Sequence, residues 1–412
     1  MFKGLFDFKN QSLVIKWRVI LPILFLIFIG LFILNSISDD VPFKNFLDSR
    51  FNKQLLYFFI GSIMFVVVQY MRLQYFYDSS YLLYVLLCML LISTFFFPEI
   101  KGAQSWIKFG RFSFQPSEFG KIIYVMCLAR FFVDFKPKNK ITGLFILTLI
   151  IIIIPPLMVL KQPDLGTAII YLSVIIPMLF WSGFSRRLIF LLVSPLISLL
   201  AVYDLSIFFY WMFFYIILLL YFRSNLLTSI INFSINVICG LLSQYAWINI
   251  LEEHQRNRII TFLDPFSDPL GRGYQVIQSI ISIGSGGFWG KGWGEGNQTH
   301  LNFLPVKDTD FIISVIGEEL GFITIFFILV CLSWFVYWCI DFAARIENRY
   351  GSLLVFGLCT IIFMHVVINM GMVSGLLPVT GLPVPFISYG GSFFVSCSII
   401  VGLINNIINN QI

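Results

Sequence analysis

The stretch RVILPILFLIFIGLFILN, residues 18–35, carries no charge after Arg18 and is long enough to cross a bilayer as a helix. Similar blocks recur along the 412-residue chain, in which 58% of residues are hydrophobic and only 12% are charged. The blocks are continuous, whereas membrane β-strands would alternate apolar and polar residues. Because a helix satisfies its own backbone hydrogen bonds in lipid, the pattern predicts an all-α, polytopic membrane protein.

We predict twelve membrane spans in a single domain covering residues 1–412. Each has close to the ~17–25 residues that a bilayer requires. The blocks between 187 and 249 are separated only by very short polar breaks. The predicted spans are 18–35, 55–71, 81–97, 119–135, 142–160, 166–184, 187–203, 205–222, 226–249, 312–340, 353–375 and 392–408.

The distribution of lysine and arginine predicts the orientation of these spans. An even number of spans places both termini on one side, and the short loops on that side are rich in Lys and Arg, which is typical of the cytoplasmic face. NSISDDVPF, which follows the first block, offers no small-residue cleavage site, so the first helix is expected to be retained. Three polar segments then lie outside the cytoplasm, namely 98–118, 250–311 and 376–391.

The remaining composition argues against several kinds of function. The net charge of +6 is spread along the chain without a long basic run, so nucleic-acid binding is not expected. The seven cysteines show neither metal-ligand spacing nor a disulfide framework. The three histidines, at 254, 300 and 365, are too scattered to predict a ligand cluster.

The large outer loop at 250–311 combines a short amphipathic stretch with a glycine-rich one. YQVIQSIISI, residues 274–283, has the apolar spacing of a short helix lying at the membrane surface. GSGGFWGKGWGEG, residues 284–296, holds Trp289 and Trp293 among glycines that permit close backbone approach to a ligand. The residues alone favour a functional loop and an interfacial anchor about equally.

Two motifs at predicted helix starts place charged residues near the membrane boundary. In QPSEFGKI, residues 115–122, Glu118 and Lys121 are three residues apart, and a structural ion pair is favoured over direct catalysis. In KQPDLGTA, residues 161–168, Asp164 is expected to cap a helix. Lys161 lacks such a structural reason and is a candidate for binding an anionic group such as phosphate.

LPVKDTDF, residues 304–311, places two carboxylates at the start of another predicted helix. Asp308 or Thr309 is the natural cap, which would put Asp310 in the first turn, where the helix dipole keeps it ionised. Such a carboxylate could accept a proton from a sugar hydroxyl, or both acids could simply begin the helix. Glu318 and Glu319, two turns deeper, favour a functional role because carboxylates within membranes seldom lack one.

Several motifs together resemble the SEDS family (shape, elongation, division and sporulation), and within it the RodA branch more than the FtsW branch. They occur in the family's order from about residue 100 to the end of the chain. The motifs are GAQSW, QPSE, QPDLGTA, FLDPFSDPLGRGYQVIQSIISIGSGGFWGKGW, FLPVKDTDFI, GEELG and GLLPVTGLPVPFISYGGS.

The resemblance implies a peptidoglycan glycosyltransferase that polymerises lipid II at the outer face of the bacterial inner membrane. Its implied partners are a class B penicillin-binding protein, which is a transpeptidase, and other elongation-complex proteins. Asp310 matches the family's essential aspartate and would be the general base. Glu118 and Lys121 match the family's paired residues and would shape the site with Asp164 and Asp308.

The resemblance also suggests how substrate would be held. Trp106, of the GAQSW motif, and Ser388, of the last motif, are predicted to contact substrate. Either Lys161, Arg258 and Lys291 or a bound divalent cation would steady the departing pyrophosphate, and family resemblance suggests Mg²⁺ or Mn²⁺ as that cation. The alternatives are a lipid II flippase and a non-catalytic scaffold for the transpeptidase.

The chain departs from the family pattern in two respects. Family members have about ten spans, so the twelve predicted here imply an inserted helical hairpin within 187–249. In addition, position 308 is often histidine in relatives but is aspartate here. Asp308 is therefore not expected to be part of the catalytic set.

Overall fold

The computed structural model describes residues 14–38, 49–99, 104–109, 112–135, 143–201, 205–222, 225–249, 265–269, 271 and 273–411. The described helices are α1 (Trp17–Ile37), α2 (Arg50–Gln69), α3 (Leu73–Ser93), α4 (Pro116–Asp134), α5 (Gly143–Lys161), α6 (Leu165–Trp181), α7 (Arg186–Ala201), α8 (Leu205–Tyr221), α9 (Leu226–Asn249), α10 (Tyr274–Gly286), α11 (Asn297–His300), α12 (Ile312–Arg345), α13 (Arg349–Val373) and α14 (Gly391–Gln411).

The all-α prediction is confirmed over the described residues. Each of the twelve predicted spans falls on a long helix, and seven of the described helices are long and apolar enough to cross a membrane. The number of true spans stays a prediction, because helix length and composition alone do not establish a crossing.

One small sheet was not predicted. Strands β1 (Ile107–Phe109) and β2 (Phe112–Phe114) pair antiparallel within the polar segment before α4, with Ile107 opposite Phe114.

The chain divides into two compact units, and the first contains Met1–Met178 and Pro265–Ile412. Helices α13 and α14 form its centre, since 72% and 83% of their most apolar windows are buried, against 22% for α2. Amide side chains connect α14 to the end of α2. Asn405 Nδ2 donates to Gln69 Oε1 at 2.8 Å, and Asn406 Nδ2 donates to the Val68 carbonyl at 2.6 Å. Such bonds join helices in lipid, where apolar burial alone gives little association.

The second unit, Leu179–Asp264, contains α7, α8 and α9. Leu191, Met212, Tyr215 and Leu219 form its apolar core. Beside that core, Ser198 Oγ donates to Asn236 Oδ1 at 2.6 Å and accepts from Trp211 Nε1 at 2.8 Å. The predicted inserted hairpin lies within this unit, and its status as an insertion stays a prediction.

The first unit has a polar end, which we call the site end. It collects the segments around β1 and β2, the start of α6, the residues before α12 and the loop between α13 and α14. The backbone amide of Gln104 donates to the Gln162 carbonyl at 3.2 Å. A side chain on Gly166 would come within 2.5 Å of the Thr380 carbonyl, so the start of α6 lies against the α13–α14 loop.

Candidate active site

Helix α12 begins at Ile312, directly after the LPVKDTDF motif. Its N-cap residue is Phe311, which makes no side-chain capping bond, so the predicted cap at Asp308 or Thr309 was wrong. Asp310 accordingly lies just ahead of the first turn rather than within it. Asp308 is instead buried and paired with the first residue of α2, with 2.8 Å between Arg50 Nη1 and Asp308 Oδ2. The charge-assisted pair satisfies this carboxylate, which is therefore not available as a cap.

Three hydrogen bonds hold the backbone of residues 308–310. The Tyr389 amide donates to the Asp308 carbonyl at 2.9 Å, and Ser388 Oγ donates to the Thr309 carbonyl at 2.7 Å. Asn369 Nδ2 donates to the Asp310 carbonyl at 2.8 Å. Each carbonyl of the motif's acidic stretch is thereby fixed to α13 or to the loop that follows it. We call this arrangement the backbone clamp.

Ser388 serves the backbone clamp in a second way. Its hydroxyl accepts from the Val384 amide at 2.8 Å while donating to Thr309, and the residue is only 1% exposed. The hydroxyl thus braces the loop in this structure, and its predicted contact with substrate stays a prediction.

The Asp310 side chain is half-buried and lies beside Gly381. A β-carbon on Gly381 would stand 3.5 Å from Asp310 Oδ2, and the backbone there has a φ of 72°. That conformation is one that L side chains adopt at a cost, whereas glycine adopts it freely. Gly381 therefore permits the turn and also keeps the space next to the carboxylate open.

Glu118 and Lys121 form the predicted ion pair, with 2.7 Å between Lys121 Nζ and Glu118 Oε2. Both are almost fully buried, and Pro116 occupies the first turn of α4 as expected. Lys121 Nζ also lies 2.9 Å from His365 Nε2, and His365 Nδ1 lies 3.3 Å from the Pro383 carbonyl. We call Glu118, Lys121 and His365 the buried triad. It links α4 through α13 to the same loop that clamps Asp310.

His365 was not predicted to contribute to the site. The available signal was its spacing from Asn369, since residues four apart lie on one face of a helix. Both are completely buried, and Asn369 Nδ2 also donates to the Leu382 carbonyl at 2.6 Å. These two polar side chains together hold consecutive carbonyls of the α13–α14 loop.

The glycine-rich loop after α10 is anchored by Glu318, whose carboxylate is fully buried in α12. Lys291 Nζ donates to Glu318 Oε1 at 2.7 Å, and the Gln298 amide donates to the same oxygen at 2.9 Å. The other oxygen accepts from the Thr299 amide at 3.1 Å and from Thr299 Oγ1 at 2.9 Å. Lys291, predicted to steady a pyrophosphate, is thus held by a carboxylate in this structure.

Glu319 anchors the same loop on its other side. Its carboxylate accepts from Ser36 Oγ of α1 at 2.7 Å and lies 3.0 Å from His300 Nε2. Close backbone packing accompanies these bonds, since a β-carbon on Gly321 would approach the Gly290 nitrogen to 2.3 Å. Glu318 and Glu319 therefore have a structural use that the sequence left open, which is to fasten the glycine-rich loop to α12.

The other predicted residues are distributed around the site end. Asp164 caps α6 as expected, since its Oδ1 accepts from the Thr167 amide at 3.1 Å. Lys161 is exposed at the end of α5, and Trp106 is half-buried immediately before β1. Arg258 lies outside the described residues. The predicted roles of these residues towards substrate stay predictions.

Tyr389, in the loop before α14, is a further polar group beside Asp308. Burial, followed by the neighbouring Tyr57 and Asp308, raises the pKa of Tyr389 to about 12. The phenol is therefore neutral at physiological pH and retains its proton as a hydrogen-bond donor.

The described residues do not fit a cation site built by the protein alone. They contain no group of three or more His, Cys, Asp or Glu side chains placed to share a metal ion. Asp308, the acid nearest Asp310 in sequence, is engaged by Arg50.

The protein-family model described as cell cycle protein, covering FtsW, RodA and SpoVE, matches residues 16–210 and 197–411. The chain belongs to the FtsW/RodA/SpoVE family. This is the family that the sequence motifs resemble. Membership of it identifies the chain as a multi-pass membrane protein.

Individual family members are similar over most of the chain. The peptidoglycan glycosyltransferase MrdB of Escherichia coli is 37% identical over 76% of this chain and 73% of its own. The peptidoglycan glycosyltransferase RodA of Treponema pallidum is 32% identical over 96% of this chain and 98% of its own.

Solved structures share the fold of this family member. A chain from a structure reported as the coordination of polymerization and crosslinking by a peptidoglycan synthase complex superposes with a TM-score of 0.74. It is 23% identical and covers 97% of this chain and 99% of its own. The crystal structure of Thermus thermophilus RodA superposes with a TM-score of 0.64 at 19% identity, covering 98% of each chain.

Proposed function

We propose that the site end polymerises lipid II, with Asp310 as the general base. The chain is a peptidoglycan glycosyltransferase by its family, in which both MrdB and RodA carry that name. The observation that supports an active site at the site end is the backbone clamp. It fixes residues 308–310 and leaves the Asp310 side chain beside Gly381.

The proposed reaction needs one base because the leaving group departs as a stable anion. Asp310 takes the proton from the 4-hydroxyl of the acceptor GlcNAc as that oxygen attacks the anomeric carbon of the donor MurNAc. A new C–O bond forms with inversion, the bond to the pyrophosphate oxygen breaks, and undecaprenyl pyrophosphate leaves. Fixing the base in position before substrate arrives lowers the entropic cost of the transition state.

The departing pyrophosphate needs positive charge more than it needs a proton. Arg50 is a candidate that the sequence did not suggest, since its guanidinium meets Asp308 and its side chain is 57% exposed. Lys161 is exposed at the same end of the unit and is a second candidate. Lys291 is a weaker candidate than Arg50, because its ammonium group is also paired with a carboxylate but its side chain is only 26% exposed.

We further propose that the protein lies in the bacterial inner membrane with both termini in the cytoplasm and the site end outside. The Lys and Arg distribution supports this orientation. A class B penicillin-binding protein is the proposed partner. The structural similarity to a chain of a peptidoglycan synthase complex supports such a pairing.

The deciding experiment is lipid II polymerisation by purified protein, measured with Asp310→Asn and Asp308→Asn variants. Losing a general base lowers the rate by about 10²–10⁴-fold, so Asp310→Asn should lose nearly all polymer. Asp308→Asn changes a neighbouring carboxylate in the same isosteric way and should retain substantially more activity. Full activity in Asp310→Asn would refute the assignment of the base. Lipid translocation by wild-type protein without polymer formation, in the same proteoliposomes, would favour the flippase alternative.

A further inference from the structure

Lys307 lies directly before Asp308 and is a buried cation, with only 8% of its surface exposed. Its ammonium group donates to the Thr299 carbonyl at 2.7 Å and to Asn302 Oδ1 at 2.8 Å. Burying an ammonium group is costly unless oxygen acceptors replace the water that it loses. The two bonds therefore make Lys307 a fixed part of the site end, three residues from the proposed base.

The segment that accepts these bonds is itself anchored to α12. Thr299 is completely buried, and its amide and hydroxyl donate to Glu318 Oε2 at 3.1 Å and 2.9 Å. The amides of Phe303 and Leu304 donate to the Gln298 carbonyl at 3.1 Å and 3.2 Å, which folds the chain back on itself after α11. Lys307 thus fastens the start of the acidic motif to a segment that other bonds already hold.

The backbone next to Lys307 is in a conformation that must be held in place. Val306 has a φ of 54°, which is a genuine outlier for a β-branched residue. Such a conformation persists only where the surrounding structure fixes it. The bonds of Lys307 fix the following residue, and the Thr309 amide donates to the Val306 carbonyl at 3.2 Å. The turn at Val306 sets the direction in which the chain runs on towards Asp310.

Lys307 and the backbone clamp hold the acidic motif from different elements. The clamp ties the carbonyls of residues 308–310 to α13 and to the loop that follows it. Lys307 ties the preceding residue to the segment after α11. The backbone that carries the Asp310 carboxylate is thereby fixed through two independent sets of bonds.

We propose that Lys307 is a positioning residue for Asp310 in the transfer reaction. The role rests on the proposed function, since it requires Asp310 to be the base. Lys307 acts through the backbone of residues 306–310, and its ammonium group is directed to Thr299 and Asn302. A misplacement of about 1 Å can cost 10²-fold in rate, so a small shift of this backbone would slow the reaction without preventing substrate binding.

The first test is Lys307→Met, with lipid II polymerisation and lipid II binding measured on the same purified full chain. The rate should fall by about 10- to 100-fold, while lipid II should bind at the wild-type stoichiometry with a Kd within about twofold of the wild-type value. Arg345→Met is the control, since it removes an exposed cation at the far end of α12 and should leave the rate unchanged. Lys307→Arg keeps charged donors and should recover part of the lost rate.

A milder variant guards against failure of Lys307→Met to fold. Asn302→Gly removes one of the two acceptors, and glycine adopts the φ of 57° at this position freely. Losing one hydrogen bond of this kind should slow polymerisation by about threefold to tenfold. A wild-type rate in Asn302→Gly would overturn the proposal even if Lys307→Met does not fold.

Combining Lys307→Met with Asp310→Asn distinguishes a positioning role from a general structural one. If Lys307 acts through the base, adding Lys307→Met to Asp310→Asn should cause no further loss of rate. An equal further loss in that background would overturn the proposal. A wild-type rate in Lys307→Met would also overturn it, as would a loss of lipid II binding as large as the loss of rate. Full activity in Asp310→Asn would instead refute the proposed base, and the positioning role with it, so the two failures are told apart by the Asp310→Asn rate.

Discussion

Replacing Lys121 by methionine tests the buried triad most directly. The substitution keeps a long unbranched side chain but removes the charge that lies 2.7 Å from Glu118 and 2.9 Å from His365. Glu118 would then be a buried carboxylate without its counter-ion, in a residue that is only 3% exposed. Breaking a buried pair by removing one partner costs about 3–5 kcal/mol, so Lys121→Met should lower the free energy of unfolding by that amount.

A double-mutant cycle separates loss of the pair from loss of packing. In Glu118→Gln/Lys121→Met the uncompensated charge is absent, and a buried ion pair replaced by neutral groups is often nearly neutral in stability. The double variant should therefore be more stable than Lys121→Met alone. The matched control is Arg345→Met, which breaks an exposed pair with Asp341 and should cost about 0–1 kcal/mol.

The measurement is reversible unfolding in mixed micelles, with lipid II polymerisation measured on the same samples. If the effects of Glu118→Gln and Lys121→Met simply add, the two residues are not coupled and the reasoning fails. Polymerisation should fall in Lys121→Met and stay low in the double variant. The recovered stability does not restore the hydrogen bond to His365 that supports the loop at Pro383.

Three other substitutions probe the loops and the charge at the site end. Glu318→Ala would leave Lys291 and three hydrogen-bond donors without their acceptor, so it should lower the free energy of unfolding by about 3–5 kcal/mol. A loss below about 1 kcal/mol would show that the Glu318 carboxylate is not needed to hold the glycine-rich loop. Gly381→Ala should lower the free energy of unfolding by about 1–2 kcal/mol, because alanine adopts the positive φ at this position at a cost, and it should reduce polymerisation. Unchanged stability would show that residue 381 does not have a positive φ. Arg50→Gln should slow polymerisation if the guanidinium stabilises the leaving pyrophosphate, and Arg50→Lys should retain more activity because it keeps the positive charge. Equal rates in both variants and the wild type would show that Arg50 has no role in the reaction.

Sequence patterns within one segment of the chain predicted most of the helices and several of their polar contacts. The apolar blocks placed every long helix, and the spacing of Glu118 and Lys121 correctly predicted their ion pair. The cap at Asp164 was also correct, since the relevant donor lies three residues away in the chain. Each of these depends only on neighbours within about one helical turn.

The contacts that the sequence did not predict join residues far apart in the chain. The cap at Asp308 was wrong because Arg50, more than 200 residues earlier, pairs with that carboxylate. The roles of His365 and Glu319 depend on Lys121 and on Ser36 of α1, and no local pattern indicates either contact. The family pattern selected Asp310, whereas the residues alone offered two acids without a means to choose between them.

The buried polar side chains of the first unit explain how loops are held in a protein whose apolar outer surface faces lipid. Helix–helix contact in a membrane gains little from apolar burial, so a loop between such helices is fixed mainly by hydrogen bonds and ion pairs. The buried triad and Asn369 supply these bonds to the α13–α14 loop, and Glu318 and Glu319 supply them to the glycine-rich loop. None of these side chains needs to touch substrate. Substitutions at these positions should therefore reduce polymerisation by displacing a loop, and the accompanying loss of unfolding free energy distinguishes them from substitution of Asp310.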